Sequence, residues 1–66
     1  MSERIPVVRK DGITIYGRII NEKGKLGRYE VMSDYWGHDG QVYHQFKDAE
    51  SRYEFLKELH DKRDKQ

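Results

Sequence analysis

Hydrophobic and polar residues alternate along the first two thirds of the chain, as they do in half-buried β-strands. Residues 4–9 (RIPVVR) predict an edge strand or an extended arm, because Pro6 cannot donate a hydrogen bond to a neighbouring strand. Residues 13–21 (ITIYGRIIN) form the run richest in β-branched side chains, which favours a strand. Residues 28–33 and 41–46 predict two further strands.

The polar segments between these strands carry turn signals. Asp11-Gly12 is a residue pair typical of turns. A polar loop punctuated by glycine spans residues 21–27, and a second loop with an Asp-Gly pair spans residues 34–40. The strands that these segments connect are expected to be antiparallel.

The last third of the chain has the periodicity of an amphipathic helix. Four residues recur at helical spacing: Ala49, Tyr53, Leu56 and His60. They predict a helix from about residue 49 to about residue 62, with Asp48 as its N-cap. Residues 61–66 are all polar, and we expect them to form a flexible tail.

These elements together predict an α+β fold in one domain, residues 1–66. A three- or four-stranded antiparallel sheet is packed on one face by a single C-terminal helix. The more apolar face of the sheet should meet the helix. Its predicted members are Ile13, Ile15, Ile19, Tyr29, Val31, Val42, His44 and Phe46. The predicted open face contains Tyr16, Arg18, Ile20, Arg28, Met32 and Tyr43.

Composition narrows the class of protein. A chain of 66 residues makes one domain with a small core, and without cysteine it has neither disulfides nor thiolate zinc sites to stabilise it. No apolar run approaches the ~18 residues of a membrane span, and no signal-peptide-like segment follows Met1. We therefore expect a soluble, cytoplasmic protein without a membrane partner.

The net charge of +1 is unevenly distributed. Residues 1–30 carry seven Lys and Arg against four Asp and Glu, whereas residues 31–66 carry six against eight. The first half is therefore the half that suits an anionic ligand.

The predicted open face combines aromatic rings with cations, and a basic loop adjoins it. The candidate binding residues are Tyr16, Arg18, Lys23, Lys25, Arg28, Trp36 and Tyr43. Because cations neutralise phosphate and flat rings contact bases, this combination favours nucleic acid as the ligand. The same residue types also occur on ordinary solvated sheet faces and in protein interfaces. All three interpretations remain open at this point.

Trp36 lies beside Gly37 in a polar loop and has two interpretations of its own. A tryptophan in so small a domain commonly covers the end of the core. If its ring is exposed, it is the best single anchor for a protein partner in the chain.

Catalytic and metal-binding patterns are missing from the sequence. There is no glycine-rich phosphate loop, no nucleophile elbow and no H-E-x-x-H motif. Asp34, His38, Asp39 and His44 do not have the spacing of an established metal site. We therefore expect a protein that is not an enzyme and that has no cofactor or metal.

Residues from about 28 to 60 show a recognisable order of elements. An aromatic strand is followed by an Asp39-Gly40 turn, a returning strand, a Phe46-Lys47-Asp48 segment and a helix with a Phe55-Leu56 pair. This order resembles the N-terminal DNA-binding domain of tyrosine recombinases, the AP2-like or arm-type fold. The resemblance implies a sheet that enters the DNA major groove, in a stand-alone regulator without a recombinase catalytic domain. The DNA-facing residues that it implies are Arg28, Glu30, Met32, Gln41, Tyr43 and Gln45.

Two further expectations concern protein partners. Small size, balanced charge and the lack of catalytic motifs are equally typical of phage- or mobile-element-encoded proteins that inhibit a host protein. The apolar residues of the predicted open face would also be buried in a symmetric homodimer, which would add stability to a small core.

Overall fold

A computed structural model describes residues 4–64, which form a four-stranded antiparallel sheet and one helix. The elements are β1 (Arg4–Lys10), β2 (Ile13–Ile19), β3 (Leu26–Ser33), β4 (Gly37–His38) and α1 (Phe46–Asp64). The strands lie in the order β1-β2-β3-β4, and α1 contacts β2 and β3. The predicted α+β fold, an antiparallel sheet with a single C-terminal helix on it, is confirmed.

The β1–β2 connection is the two-residue turn at Asp11 and Gly12. Their φ angles of 56° and 75° are both positive, as the mirror-image turn of a tight hairpin requires. This conformation is cheap for glycine and tolerable for aspartate. The turn places Lys10 opposite Ile13 and sets the register of the first hairpin as far as Val8, beyond which a bulge shifts the pairing by one residue.

A β-bulge interrupts the pairing of β2 with β3. Tyr16 pairs with Glu30 and Arg18 pairs with Gly27, so two residues of β3 stand opposite Gly17 alone. Arg28 is one of these two residues, and its φ of 47° lies in the left-handed region. The bulge leaves Arg28 exposed at the end of the sheet where β3 begins.

The core lies between α1 and the middle of β2 and β3. Its buried side chains are Ile13, Ile15, Val31, Ala49, Tyr53 and Leu56. Full burial of an aliphatic side chain contributes about 1.5–3 kcal/mol, so these few residues supply most of the hydrophobic stabilisation. The three sheet members of this core were predicted correctly.

Ile19 was predicted in the core, and this was wrong: its side chain is 40% exposed. The helix begins beside Tyr29, where the rings of Tyr29 and Phe46 have their centres 5.5 Å apart. From there it runs towards the β1–β2 turn, where Asp11 accepts a hydrogen bond from Tyr53. Tyr29 adjoins Gly17, two residues before Ile19. The helix therefore does not extend over the end of β2.

The strand predicted over residues 41–46 does not form. Within that segment only Tyr43 pairs with the sheet, through two backbone hydrogen bonds to Tyr29. The preceding backbone is satisfied locally instead, since Gly40 N donates to His38 Nδ1 and Gln41 N donates to Asp39 Oδ1. Such local bonds compete with a β ladder. The turn of this hairpin lies at residues 34–36 rather than at the Asp-Gly pair.

The irregular path of residues 39–45 also reverses which side chains face inward. Tyr43 packs against the core, whereas Val42 is 50% exposed and His44 is exposed. The placement of Val42 and His44 in the core, and of Tyr43 on the open face, was therefore wrong. Phe46 does pack against the core, as the first residue of α1.

The helix begins earlier than predicted. Its first residue is Phe46, and the carbonyl of Gln45 accepts hydrogen bonds from the amides of Asp48 and Ala49. Asp48 is therefore in the first turn, where its charge suits the positive end of the helix, and is not the N-cap. Residues 61–64 are helical, and residues 65 and 66 lie outside the described part of the chain. Within residues 4–64 no helix is long and apolar enough to cross a membrane.

Candidate functional site

The face of the sheet opposite the helix carries a cluster of polar and aromatic side chains. We call this the uncovered face and define it by five residues in contact or paired across strands: Arg4, Tyr16, Arg18, Glu30 and His38. Arg4 pairs with Arg18 across the first hairpin, and its guanidinium lies 5.0 Å from the centre of the Tyr16 ring. A cation over an aromatic ring at this distance is attracted to it, so the two side chains position one another.

Glu30 is the centre of the polar contacts on this face. Its side chain is only 10% exposed, and its two oxygens accept hydrogen bonds from Arg18 Nε at 2.7 Å and His38 Nε2 at 2.8 Å. His38 Nδ1 accepts the amide proton of Gly40, so the proton of the neutral ring is on Nε2. The hydrogen bond from Arg18 lowers the pKa of Glu30; burial opposes this shift, and the hydrogen bond from His38 adds to it.

The loop between β2 and β3 carries the basic residues next to this face. Asn21 Oδ1 accepts hydrogen bonds from the amides of Lys23 and Lys25, at 3.0 and 3.1 Å. The loop is closed further by a hydrogen bond from Ile20 N to the carbonyl of Lys25. Its backbone is thus organised while both lysines remain exposed.

Arg28 completes a basic end of the molecule. The start of β1, the end of β2 and the β2–β3 loop meet at this end, because Arg4 pairs with Arg18 and Ile19 pairs with Leu26. Five cationic residues gather there: Arg4, Arg18, Lys23, Lys25 and Arg28. Five of the predicted site residues thus lie on or beside the uncovered face, all except Trp36 and Tyr43.

Tyr43 lies elsewhere, on the side of the sheet that meets the helix. Its hydroxyl donates to Asp39 Oδ2 at 2.7 Å, and Arg52 of α1 approaches the same carboxylate oxygen at 3.3 Å. Burial, followed by the hydrogen bond to Asp39, raises the pKa of Tyr43 to about 12. These contacts fasten the irregular segment to the helix and give Tyr43 a structural role.

Trp36 lies at the opposite end of the sheet, in the turn after β3. Its ring is 50% exposed and stands edge-on to His60 of α1 at 5.1 Å and to Tyr35 at 5.9 Å. Ser33 Oγ accepts hydrogen bonds from the amides of Tyr35 and Trp36, which leaves its own proton for Nε2 of the buried His60 at 2.8 Å. The tryptophan therefore covers the end of the core with one part of its ring and presents the rest to solvent.

Two of the cavities on the described surface lie at its two ends. One, of about 400 Å³, lies at the end near Trp36 and is lined by Asp11, Gly12, Asp34, Tyr35, His60, Asp61 and Asp64. The other, of about 370 Å³, lies at the basic end and is lined by Ile19, Ile20, Gly27, Arg28 and His44. We call the second one the bulge pocket. Among residues 4–64 no three His, Asp or Glu side chains converge as metal ligands.

Sequence reasoning missed two members of the uncovered face, Arg4 and His38. Glu30 was among the DNA-facing residues that the resemblance implied, but its place at the centre of the polar contacts was not predicted. Arg4 could not be placed from the Asp11-Gly12 turn, because the register of that turn would pair it with Ile19, and a bulge between Pro6 and Val8 pairs it with Arg18 instead. Glu30 and His38 could not be linked from the pattern, since the position of β4 depends on a turn that the sequence did not single out. Comparisons with protein families, with curated proteins and with solved structures found no match for this chain.

Proposed function

We propose that this protein is a non-enzymatic nucleic-acid-binding protein that uses the uncovered face and the adjoining basic loop. The observation that carries the proposal is the meeting of five cations at one end of a sheet whose face also presents Tyr16. Closely spaced cations neutralise neighbouring phosphates, and each neutralised phosphate releases counterions that favour binding. Aromatic rings on a sheet add contacts to bases or sugars.

The basic end keeps a net positive charge because its acidic residues are fewer than its cations. In the strands and loop that form it, the described acids are Glu22 and Glu30. Glu30 is already paired with Arg18 and His38 and does not stand free against a polyanion. At the opposite end, four aspartates line a cavity, but Lys62 and Arg63 in the last turn of α1 offset much of their charge. The net positive charge of the basic end would orient that end towards a phosphate backbone.

The resemblance to the arm-type domains gives limited support for DNA as the ligand. A sheet packed by one helix is common to both, and the uncovered face is the surface that would approach the duplex. Gln41, Tyr43 and Gln45 are not in a strand here, so this part of the implied DNA-facing set has no counterpart. The proposal therefore depends on the basic end and not on these three residues.

The test is a fluorescence anisotropy titration of labelled single-stranded and duplex DNA at several salt concentrations. We expect affinity to fall steeply between about 50 and about 200 mM salt, as counterion release requires. The double variant Lys23→Ala/Lys25→Ala should weaken binding to all sequences and lower the salt slope by about 2, one for each lost phosphate contact. Lys62→Ala removes an exposed charge at the other end of the molecule and is the matched control. No binding at low salt would refute the proposal.

A second candidate function is inhibition of a host protein, as in small phage- or mobile-element-encoded inhibitors. The exposure of Tyr35 and Trp36, at 47% and 50%, favours it, because half-exposed aromatic pairs are typical anchors of protein interfaces. Binding of that kind should depend little on salt and should be lost in Trp36→Ala. A steep salt dependence together with an unaffected Trp36→Ala variant would refute it.

A further inference from the structure

The bulge pocket is the cavity at the basic end, where β2 ends and β3 begins. Its lining combines two exposed isoleucines, Ile19 and Ile20, with the side chains of Arg28 and His44. Its volume of about 370 Å³ lies within the range of small-molecule sites. An apolar floor beside the guanidinium of Arg28 and the imidazole of His44 suits a ligand that has a flat apolar part and an anionic part.

Arg28 occupies a backbone position that is unfavourable for its residue type. Its φ of 47° is left-handed, which costs a residue with a Cβ roughly 1–2 kcal/mol, whereas glycine would adopt it freely. Among residues 4–64 no ion pair or hydrogen bond of the Arg28 side chain offsets this cost. Backbone strain that no side-chain contact compensates is characteristic of positions that serve binding. The bulge therefore directs towards the pocket a cation that has no partner among the residues that the structure describes.

The apolar floor is also held in place. Ile20 lies over the backbone of Gly27, and a Cβ on that glycine would stand only 2.8 Å from Ile20 Cδ1. The hydrogen bond from Ile20 N to Lys25 O, at 2.9 Å, fixes the backbone beneath this side chain. The glycine thus creates the space that lets an isoleucine lie flat next to Arg28.

We propose that the bulge pocket binds one nucleotide, with its base against Ile19 and Ile20 and its phosphate at Arg28 and His44. This inference rests on the proposed function and specifies the ligand class. A base can reach a pocket only when it is unstacked and unpaired, so the pocket predicts a preference for single strands over duplexes. Lys23 and Lys25 in the adjoining loop are placed to meet the neighbouring phosphates.

The first experiment uses the free monomer as the probe. Amide resonances of the 15N-labelled protein are followed by NMR during titration with adenosine monophosphate, uridine monophosphate and inorganic phosphate. We expect both nucleotides to shift Gly27, Arg28 and His44 while Trp36, at the other end, stays unchanged. No shift at the pocket overturns the proposal. Equal shifts with inorganic phosphate and the nucleotides overturn the role of the base and leave a simple anion site.

The second experiment uses variants on labelled single-stranded and duplex DNA. Arg28→Gly keeps the left-handed turn and removes the cation, so the fold should be retained, as circular dichroism can confirm. It should lower single-strand affinity about tenfold, which corresponds to about 1.4 kcal/mol, and duplex affinity less. His44→Gln removes the imidazole from the pocket without a change at the bulge. Unchanged single-strand preference in both variants would place the base elsewhere.

The two experiments separate failure of the pocket from failure of the proposed function. If DNA binds with a steep salt dependence while the monomers leave Gly27 and Arg28 unperturbed, the pocket is wrong and nucleic-acid binding stands. If the monomers bind in the pocket but DNA does not bind at low salt, the pocket is a site for free nucleotides and the proposed function is wrong.

Discussion

Replacement of Glu30 by glutamine should destabilise the protein and raise its affinity for nucleic acid. The carboxylate accepts from two donors, Arg18 Nε and His38 Nε2. A glutamine of the same shape has one acceptor oxygen, so its amide group would face one of the two donors without a hydrogen bond. The negative charge beside Arg18 is lost at the same time, so the net positive charge of the basic end rises by one.

The size of the destabilisation follows from the exposure of the two partners. A hydrogen bond to a charged group contributes about 1.5–3 kcal/mol when it is well shielded. The side chains of Arg18 and His38 are 35% and 29% exposed, so water can replace part of the hydrogen bonding that each donor loses. We therefore expect Glu30→Gln to lower the free energy of unfolding by about 1–2 kcal/mol, or Tm by roughly 4–16 °C in a domain of this size.

Acid titration gives a second measure of the same contacts. Because the pKa of Glu30 is lowered in the folded protein, its contribution to stability is complete above its ordinary value of 4.5. That contribution is lost as the pH falls from there through the folded-state pKa. Urea midpoints recorded from neutral to acid pH should fall less steeply in Glu30→Gln than in the unmodified protein.

The assay joins thermal unfolding to DNA binding. In Glu30→Gln we expect a lower Tm and tighter single-strand binding, because the net charge of the basic end is more positive by one. Glu22→Gln is the matched control, because it removes one exposed charge from the same end of the molecule. An unchanged Tm would show that the Glu30 contacts are not stabilising. Weaker DNA binding in Glu30→Gln would refute the assignment of the uncovered face.

Three further predictions concern the fold, the tyrosines and the oligomeric state. Ile15→Asp places an unpaired charge in a fully buried site and should abolish the cooperative thermal transition; a folded variant would contradict the assignment of the two faces. Burial, followed by the hydrogen bond to Asp11, raises the pKa of Tyr53 to about 12, so its part in stability is complete below pH 10 and is lost above it. Absorbance titration should show phenolates that ionise late, and Tyr53→Phe should remove one of them; five phenolates that ionise together near pH 10 would contradict this. Tyr43 lies on the helix side of the sheet, so the apolar patch expected to drive a homodimer is smaller than predicted. Sedimentation equilibrium should therefore give a monomer mass, whereas a dimer mass would assign the uncovered face to self-association.

The parts of the fold that the sequence predicts are those in which local pattern and tertiary packing agree. Ile13, Ile15 and Val31 alternate with polar neighbours and are buried together, because the strands that carry them are covered by the helix along this stretch. The helical spacing from Ala49 to His60 also predicts the structure correctly, because the four residues at this spacing lie on the one buried face of α1.

The wrong predictions arise where the regular alternation of inward and outward side chains is interrupted. The extra residue at Arg28 alters the β2–β3 register without any local signal, because arginine is not a residue that typically marks a left-handed bulge. Residues 41–46 alternate like a strand, but side-chain bonds from His38 and Asp39 satisfy the preceding backbone locally. Of the candidate site, Tyr16 and Arg18 could be placed from alternation alone, whereas Tyr43 could not.

The hydroxyl of Ser33 gives this protein a built-in optical probe. It ties the turn that carries Trp36 to His60 near the end of α1, and Trp36 is the single tryptophan of the chain. Its fluorescence therefore reports the docking of the C-terminal part of the helix on the sheet, without any introduced label. Because the basic end is at the other end of β3, ligands bound there should leave the emission unchanged. A change in emission on adding a ligand that binds at the basic end would then signal movement of the helix rather than contact with the ring.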